Sequence, residues 1–520
     1  MKRKLDIKWV VLLVVFIVVI VAAVLLNNKE MTANIVGGSL VPDNGDLKIN
    51  WEKYPTKEIT LEEPLTITQS GTYYLTGSLK DGSIVVSPNY DGVVKLVLDN
   101  VTINNSEGPA ISCTSGDDLV IELVGENYLQ DGSKYSSEYD QDVTGAIYSK
   151  ADLTFQGEGS LNITANYQDA IVGKDDLKFN GGKYIIKSAD DGIRGKDSVY
   201  IVNGYFAIES TADAIKSTNE TDIGKGFVLI ENGNFEIVSG AKGIKAINNI
   251  VIQDGEYTLS TYDDAIHSNS YVGIINGKIT IDAKDDGIHA NRELIIDGGE
   301  ITVLRAYEGL EAQVVTINNG TISLTTTDDG INAGGGADSS ATNRPGANPF
   351  NSDENCILSI KGGELYVNAS GDGIDSNGWL YFEGGKTIVD GPTNNGNGAL
   401  DAGIGISMSG GEVLAVGSSG MAESLGANSS VFNASIYLTT TEPAGTTVEI
   451  RNSAEETIVK HISAKTFSHL SVGTEKFILG ETYSVYINGE KNSTFTISGI
   501  VTTVGNINNN QQMMPGGGRR

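Results

Sequence analysis

Little in this chain could cross-link it, coil it into helices or offset its acid. Cys113 and Cys356 are its two cysteines in 520 residues. Helical patterning is absent after residue 26, which excludes all-α and α/β classes for the body of the protein. Basic residues number 36 against 66 acidic ones, for a net charge of −30. That balance repels nucleic acid and anionic lipid surfaces, so no nucleic-acid partner is expected. It suits a protein that collects divalent cations, or one that must stay soluble outside a cell.

What the chain does contain is glycine and a fixed beat. Its 64 glycines are about twice ordinary usage, and they fall at regular places, as tight turns require. An aliphatic residue recurs at 171, 193, 215, 244, 266, 288, 310 and 331, mostly 22 residues apart. Acid travels with it, as in Asp190-Asp191-Gly192-Ile193, Asp263-Asp264-Ala265-Ile266, Asp285-Asp286-Gly287-Ile288 and Asp328-Asp329-Gly330-Ile331. A fixed period of this length means stacked units, none of which buries its apolar face alone. Each period also holds two further short alternating pieces split by Asn-Gly, Asp-Gly or Gly-Gly turns, such as Phe179-Asn180-Gly181-Gly182 and Ile295-Ile296-Asp297-Gly298-Gly299. Three short strands per coil of about 22 residues predict an all-β, right-handed parallel β-helix. Coils stacked at about 4.8 Å put roughly ten coils between the two cysteines, too far for a disulfide.

The predicted organisation has five parts. Residues 1–26 hold a basic tip, Met1-Lys2-Arg3-Lys4, and an uncharged apolar run from Trp9 to Leu26, long enough to span a bilayer. No clear small-residue cleavage site follows it. The expectation is an uncleaved transmembrane anchor with the remainder extracellular, a cleaved signal peptide being the alternative: a single-pass protein of the cell membrane, and a monomer. Residues 27–46 read as a polar linker. The β-helix takes 47–432, with atypical capping coils up to about 110. Insertions interrupt it around Tyr128 to Asp142, near 219–226, and from Ala333 to about Asp353. A small antiparallel β cap, including Ser435–Leu438, Thr447–Ile450, Phe477–Leu479 and Tyr483–Ile487, is predicted for 433–503. Residues 504–520 form a low-complexity tail.

In each repeat the aliphatic residue points inward and its successor outward. The outward series runs Arg194, Lys216, Lys245, His267, His289, Glu311, Asn332, Asp375, Asp401, from cationic to oxygen-rich. In-register stacking sets oxygen groups of adjacent coils about 5 Å apart, where carboxylates repel unless neutralised. Calcium takes six to eight oxygen ligands in flexible geometry. The calcium candidates are Asp263, Asp264, Asp285, Asp286, Glu308, Glu311, Asp328, Asp329, Asn332, Asp372, Asp375 and Asp401. The competing role for these acids is to bond nearby backbone N–H groups in turns. For His267 and His289, a hydrogen bond to a stacked aspartate is favoured over a transition metal. Tyr167, Tyr262 and Tyr307, just before the column acids, and Trp379 and Tyr381, just beyond Asp375, are candidate sugar platforms. The competing role is plain surface cover.

The stretch Ile67-Thr68-x-x-Gly71-Thr72-Tyr73-x-Leu75, the Asp-Asp-Gly-Ile coils and the end piece Glu481-Thr482-Tyr483-Ser484-Val485-Tyr486 together resemble an exported carbohydrate-binding β-helix family of cellulolytic clostridia. That family is similar in fold to calcium-dependent pectate lyases. The resemblance spans roughly residues 47–500 and implies calcium at stacked Asp coils. It also implies binding of plant cell-wall polysaccharide, cellulose or an acidic, pectin-like glycan. A lyase would further need a base for the C5 proton of a uronate. No lysine stands on the outward column near the richest acid stretch, while Lys216 and Lys245 lie several coils away and Arg292, Arg305 and Arg344 fall off the column. A binding protein with no catalytic residues is therefore the expected reading. A polysaccharide lyase and a plain surface adhesin are its alternatives.

Overall fold

The structure, a computed structural model, describes residue 40, residues 48–334 and residues 352–505. The expected anchor, nearly all of the linker, most of the third insertion with Arg344, and the tail from 506 lie outside the described residues. No helix among the described residues is long and apolar enough to cross a membrane.

The body is a β-solenoid of about 15 turns. Each coil contributes three strands to three parallel stacks, as in Ile266–Ser268, Tyr271–Ile274 and Lys278–Ala283. These are called the first, second and third sheets in coil order. Register is strict because side chains alternate with period two and only one face can be buried. Ile171 pairs with Ile193, and the line continues through Ile215, Ile244, Ile266, Ile288, Leu310, Ile331, Ile374 and Leu400. These residues are buried completely or nearly so, each burial contributing about 1.5–3 kcal/mol. Aromatic rings stack along the same interior: Phe155 on Phe179 at 5.0 Å, Phe206 on Phe235 at 5.0 Å and Phe235 on Tyr257 at 4.7 Å.

Between the second and third sheets the chain turns on glycine. Gly363 has φ +78°, and a Cβ there would lie 2.4 Å from the Gly320 carbonyl oxygen of the coil below. Both the dihedral and the backbone contact demand glycine. Gly363→Ala is expected to destabilise the protein by more than about 1 kcal/mol, read as a lower Tm.

The end of the solenoid departs from the period as expected. Phe467–Thr474 pairs antiparallel with Glu412–Gly417, the last strand of the third sheet, and with Asn433–Glu442. An otherwise open parallel edge is thereby covered. A separate antiparallel sheet holds Thr447–Arg451, Thr457–Ile462, Thr482–Ile487 and Glu490–Thr496. Two expectations need correction. Phe477-Ile478-Leu479 is a turn and not a strand: Phe477 is buried, but Ile478 is 59% exposed, so the apolar run lacks a sheet partner. Tyr128 lies in the strand Glu126–Gln130, in register with Asn162, and the insertion begins only after it. That insertion folds back on the first sheet, where Val143 packs with Tyr148 and Val172.

Buried Asp390 ties the cap to the solenoid. It accepts hydrogen bonds from His461 Nε2 at 2.8 Å, Ser463 Oγ at 3.1 Å, the Ala464 amide at 3.1 Å and the Tyr366 hydroxyl at 2.8 Å.

Candidate functional site

From Asp169 onward, the turn entering most first-sheet strands carries an acid two residues before the inward aliphatic. Coil stacking brings the next coil's amide over that acid, so its Oδ1 accepts a backbone N–H from the coil above. Asp169 takes the Asp191 amide at 3.2 Å, Asp191 that of Asp213 at 3.1 Å, and Asp213 that of Lys242 at 3.1 Å. Further along, Asp264 takes Asp286 at 3.1 Å, Asp286 takes Glu308 at 3.1 Å, Asp329 takes Asp372 at 2.6 Å and Asp372 takes Gly398 at 2.5 Å. The turn-bonding role and the column role therefore coexist. One carboxylate oxygen holds the backbone, and the other faces the outward column.

Over the first half of the column, that second oxygen meets a cation of the protein. Arg194 pairs with Asp169 Oδ2 at 2.7 Å, and Lys216 with Asp191 Oδ2 at 2.5 Å. Asp213 Oδ2 receives Lys216 at 3.4 Å and Lys245 at 3.7 Å. Where the ladder position is Lys242 instead of an acid, its ammonium reaches forward to Asp263 at 2.7 Å and Asp264 at 2.6 Å. His267 Nδ1 also sits 2.7 Å from Asp264. Burial opposes the charged form of Asp264, yet His267 and Lys242 outweigh it and hold the carboxyl well below its ordinary range. At Asp169 the balance falls the other way: burial exceeds the help from Arg194 and leaves the group up at about 6.

The balance tips for good at His289. Its Nδ1 lies 2.7 Å from Glu311 and 3.2 Å from Asp286, and its Nε2 is 3.0 Å from Asn291 Oδ1. Burial works against the imidazolium, but the two carboxylates push it up to about 11. One cation thus serves two acids. Burial, with Asp264 and Glu311 nearby, raises Asp286. Both histidines are spent on neighbours, as favoured above.

Beyond that point, no ion pair joins Glu308, Asp329, Asp372, Asp375, Asp401 or Glu423 to a basic side chain among the described residues. Glu308 takes only the Asn332 amide, at 3.1 and 3.2 Å. Burial, then Asp372, Asp328 and Asp401, lift Asp329 to about 7. Burial lifts Asp372 to about 6, and burial with the three neighbouring aspartates raises Asp375 well above its ordinary value. Asn332, Asp375 and Asp401 follow one another in register on the outward face. Asn332 Oδ1 is buried without a hydrogen-bond partner. Gly371 keeps the space beside the acids open, since a Cβ there would lie 2.3 Å from an oxygen of both Asp328 and Asp329.

Sequence reasoning missed two residues. Lys242 reads in sequence as the loss of an acid from the repeat, and only stacking shows where its amine goes. Glu423 lies past the last periodic coil, with no signal to mark it. Burial and its neighbours Asp401 and Asp372 raise it to about 7.

The twelve calcium candidates therefore divide. Three triads hold ligand atoms within 4.8 Å of one another: Asp264/His267/His289, Asp286/His289/Glu311 and Asp263/Asp264/Asp285. All three contain an internal cation or lie on one, through His289 or Lys242. Among the described residues, Glu308, Asp329, Asp372, Asp375 and Asp401 form no such triad. The aromatic candidates divide as well. Tyr167 stacks on Tyr135 of the insertion at 4.3 Å, which takes it from the expected ledge. Tyr262 is 63% exposed with Lys284 Nζ 3.8 Å from its ring centre. Tyr307 bonds Asp328 through its hydroxyl. Trp379 and Tyr381 stack at 5.9 Å on the second sheet, apart from the other three.

Residues 62–309 match the model of a family described as "Carbohydrate-binding domain-containing protein". A protein of that description from Acetivibrio thermocellus is 33% identical over 157 residues, 29% of this chain and 54% of the relative. The chain thus spans about half the length of the curated relative it matches. A solved polysaccharide lyase-like protein from C. thermocellum, a gadolinium derivative, is 28% identical. That match covers 46% of this chain and 96% of the other, with a TM-score of 0.39. The resemblance to a carbohydrate-binding family of cellulolytic clostridia holds. The family-matched span contains the self-neutralised half of the column and ends before Asp329.

Proposed function

We propose that this protein binds plant cell-wall polysaccharide outside the cell, through calcium held by the unpaired half of its acid column. One observation carries the reading: among the described residues, ladder acids have cations of the protein up to His289 and none afterwards. The donors beyond that point fit a hard divalent cation. Asp329, Asp372, Asp375 and Asp401 offer carboxylate oxygens, and Asn332 offers a buried oxygen with no partner. Calcium there would supply positive charge that a uronate carboxylate can share. Asp263, Asp264, Asp286 and Glu311 leave the proposed ligand set because Lys242, His267 and His289 already contact them. Tyr307, 36% exposed, supplies an apolar face beside the column for a glycan ring.

Binding is preferred over lysis. Lys216 is held between Asp191 and Asp213, Lys245 lies on Asp213, and Arg305 pairs with Asp282 at 2.7 Å. None is offered to a substrate at the unpaired acids. The apolar run Trp9 to Leu26 would hold the protein at the cell membrane. The test is retention of the purified full-length chain on cellulose and on polygalacturonate, with calcium and with a chelator, while ultraviolet absorbance follows unsaturated products. Calcium-dependent retention on polygalacturonate without product is the expected result. Steady product formation would make the protein a lyase.

A further inference from the structure

An open groove of about 820 Å³ lies at the turn between the second and third sheets in the coils around residues 122–185. It shares no residue with the acid column. Its size falls within the usual range for small-molecule sites, about 300–1,000 Å³. Its base is backbone, because the turn residues there are Gly125, Gly157 and Gly159; at Gly157 a Cβ would lie 2.4 Å from the Leu123 carbonyl oxygen.

Two rows of side chains rise beside that base, fixed by coil register. Tyr128, Asn162 and Ile185 face out on successive coils, as do Glu126, Ser160 and Lys183. Their chain neighbours Leu129, Ile163 and Ile186 are buried. Tyr128 is 47% and Ile185 39% exposed. The Tyr128 hydroxyl donates to Glu126 Oε2 at 3.0 Å, so the ring is held in one pose. Glu122 is held too, by Lys95 at 3.3 Å and Gln156 at 2.7 Å.

Tyr128, Asn162 and Ile185 set apolar, amide and apolar groups at one-coil intervals, about 4.8 Å apart, along which an extended pyranose chain can lie. Its ring faces are apolar and its rim is hydroxyl. Tyr128 and Ile185 would take the faces, and Asn162, Ser160 and Glu126 the hydroxyls. Charge selects among glycans. With Glu122 paired to Lys95, Glu126 and Glu158 still outnumber Lys183 along the groove, which disfavours a polyuronate.

We propose that this groove is a second glycan subsite, which takes an uncharged polysaccharide chain without a divalent cation. The proposal rests on the carbohydrate-binding reading above and adds a site and a substrate class to it. Binding of cellohexaose and of amorphous cellulose by the full-length chain, with chelator present, tests it. Tyr128→Ala should weaken both by about tenfold, while Tyr128→Phe, which keeps the ring, should weaken them less. Calcium-dependent binding of polygalacturonate should be unchanged in both variants. Because Tyr128 is exposed, their Tm should stay close to that of the parent. Full cellulose binding by Tyr128→Ala, or its loss on adding chelator to the parent, would overturn the groove assignment. Polygalacturonate binding by a chain that binds no neutral glycan would also overturn it and leave the wider reading intact. Binding of neither glycan would overturn both.

Discussion

Lys242→Ala is expected to lower the unfolding free energy by about 3–5 kcal/mol, the usual effect of removing one partner from a buried ion pair. Lys242 is 7% exposed, and its ammonium contacts both Asp263 and Asp264. The substitution leaves Asp264 buried with the His267 ring nitrogen as its remaining side-chain partner. Lys242→Ala combined with Asp264→Asn should recover part of the loss, because the uncompensated charge goes with its partner. Thermal unfolding of the parent, both single variants and the double variant reads the coupling. Additive losses would mean that the pair carries no special weight. The parent should also be acid-labile through this site. Asp264 titrates below its ordinary value when folded, so its contribution is complete above about pH 4 and is lost as pH falls further.

At the other half of the column, the expected pH dependence is reversed. Asp329, Asp372 and Glu423 are raised in the folded state to about 7, 6 and 7. Folded protein therefore binds protons between about pH 4 and 7 that unfolded chains release. The contribution of these groups is complete at low pH and is lost as pH rises through 6 to 7. With chelator, Tm should fall across that window. With calcium it should stay level, because the cation replaces the protons. At 100 times its dissociation constant, a ligand bound only by the folded state adds about 2.7 kcal/mol, so the two curves should separate most at pH 8. Asp375→Asn with Asp401→Asn should raise Tm in chelator, by relieving like-charge repulsion, and remove most of the response to calcium. A calcium response unchanged in that variant would place the ion elsewhere.

Much of this was legible in the chain because a solenoid writes its geometry in one dimension. Once the period was fixed, alternation placed Ile266 and Ile288 inside and His267 and His289 outside, and stacking made neighbours of residues 22 apart. The change from Arg194, Lys216 and Lys245 to Asn332, Asp375 and Asp401 was visible as a gradient. Its cause was not, because it lies in the second oxygen of the ladder acids, which the repeat shows only as a constant Asp. Lys242 was hidden for the same reason: its amine acts one coil ahead of its own position. Glu423 follows the last coil, where period gives no guide. Tyr128 was placed in an insertion because the strand Glu126–Gln130 runs directly into one, and only pairing with Ser160–Ala165 shows where the sheet ends. The aromatic ledge failed at Tyr167, since a residue's exposure depends on where the insertion folds back.

The central claim is that the unpaired acids hold a divalent cation through which an acidic glycan is bound. Calorimetric titration of polygalacturonate into the full-length chain tests it most directly, run with calcium and with chelator, on the parent and on the Asp375→Asn, Asp401→Asn variant. The account predicts binding by the parent with calcium alone, and none by the variant in either condition. Equal, calcium-dependent binding by parent and variant would contradict it.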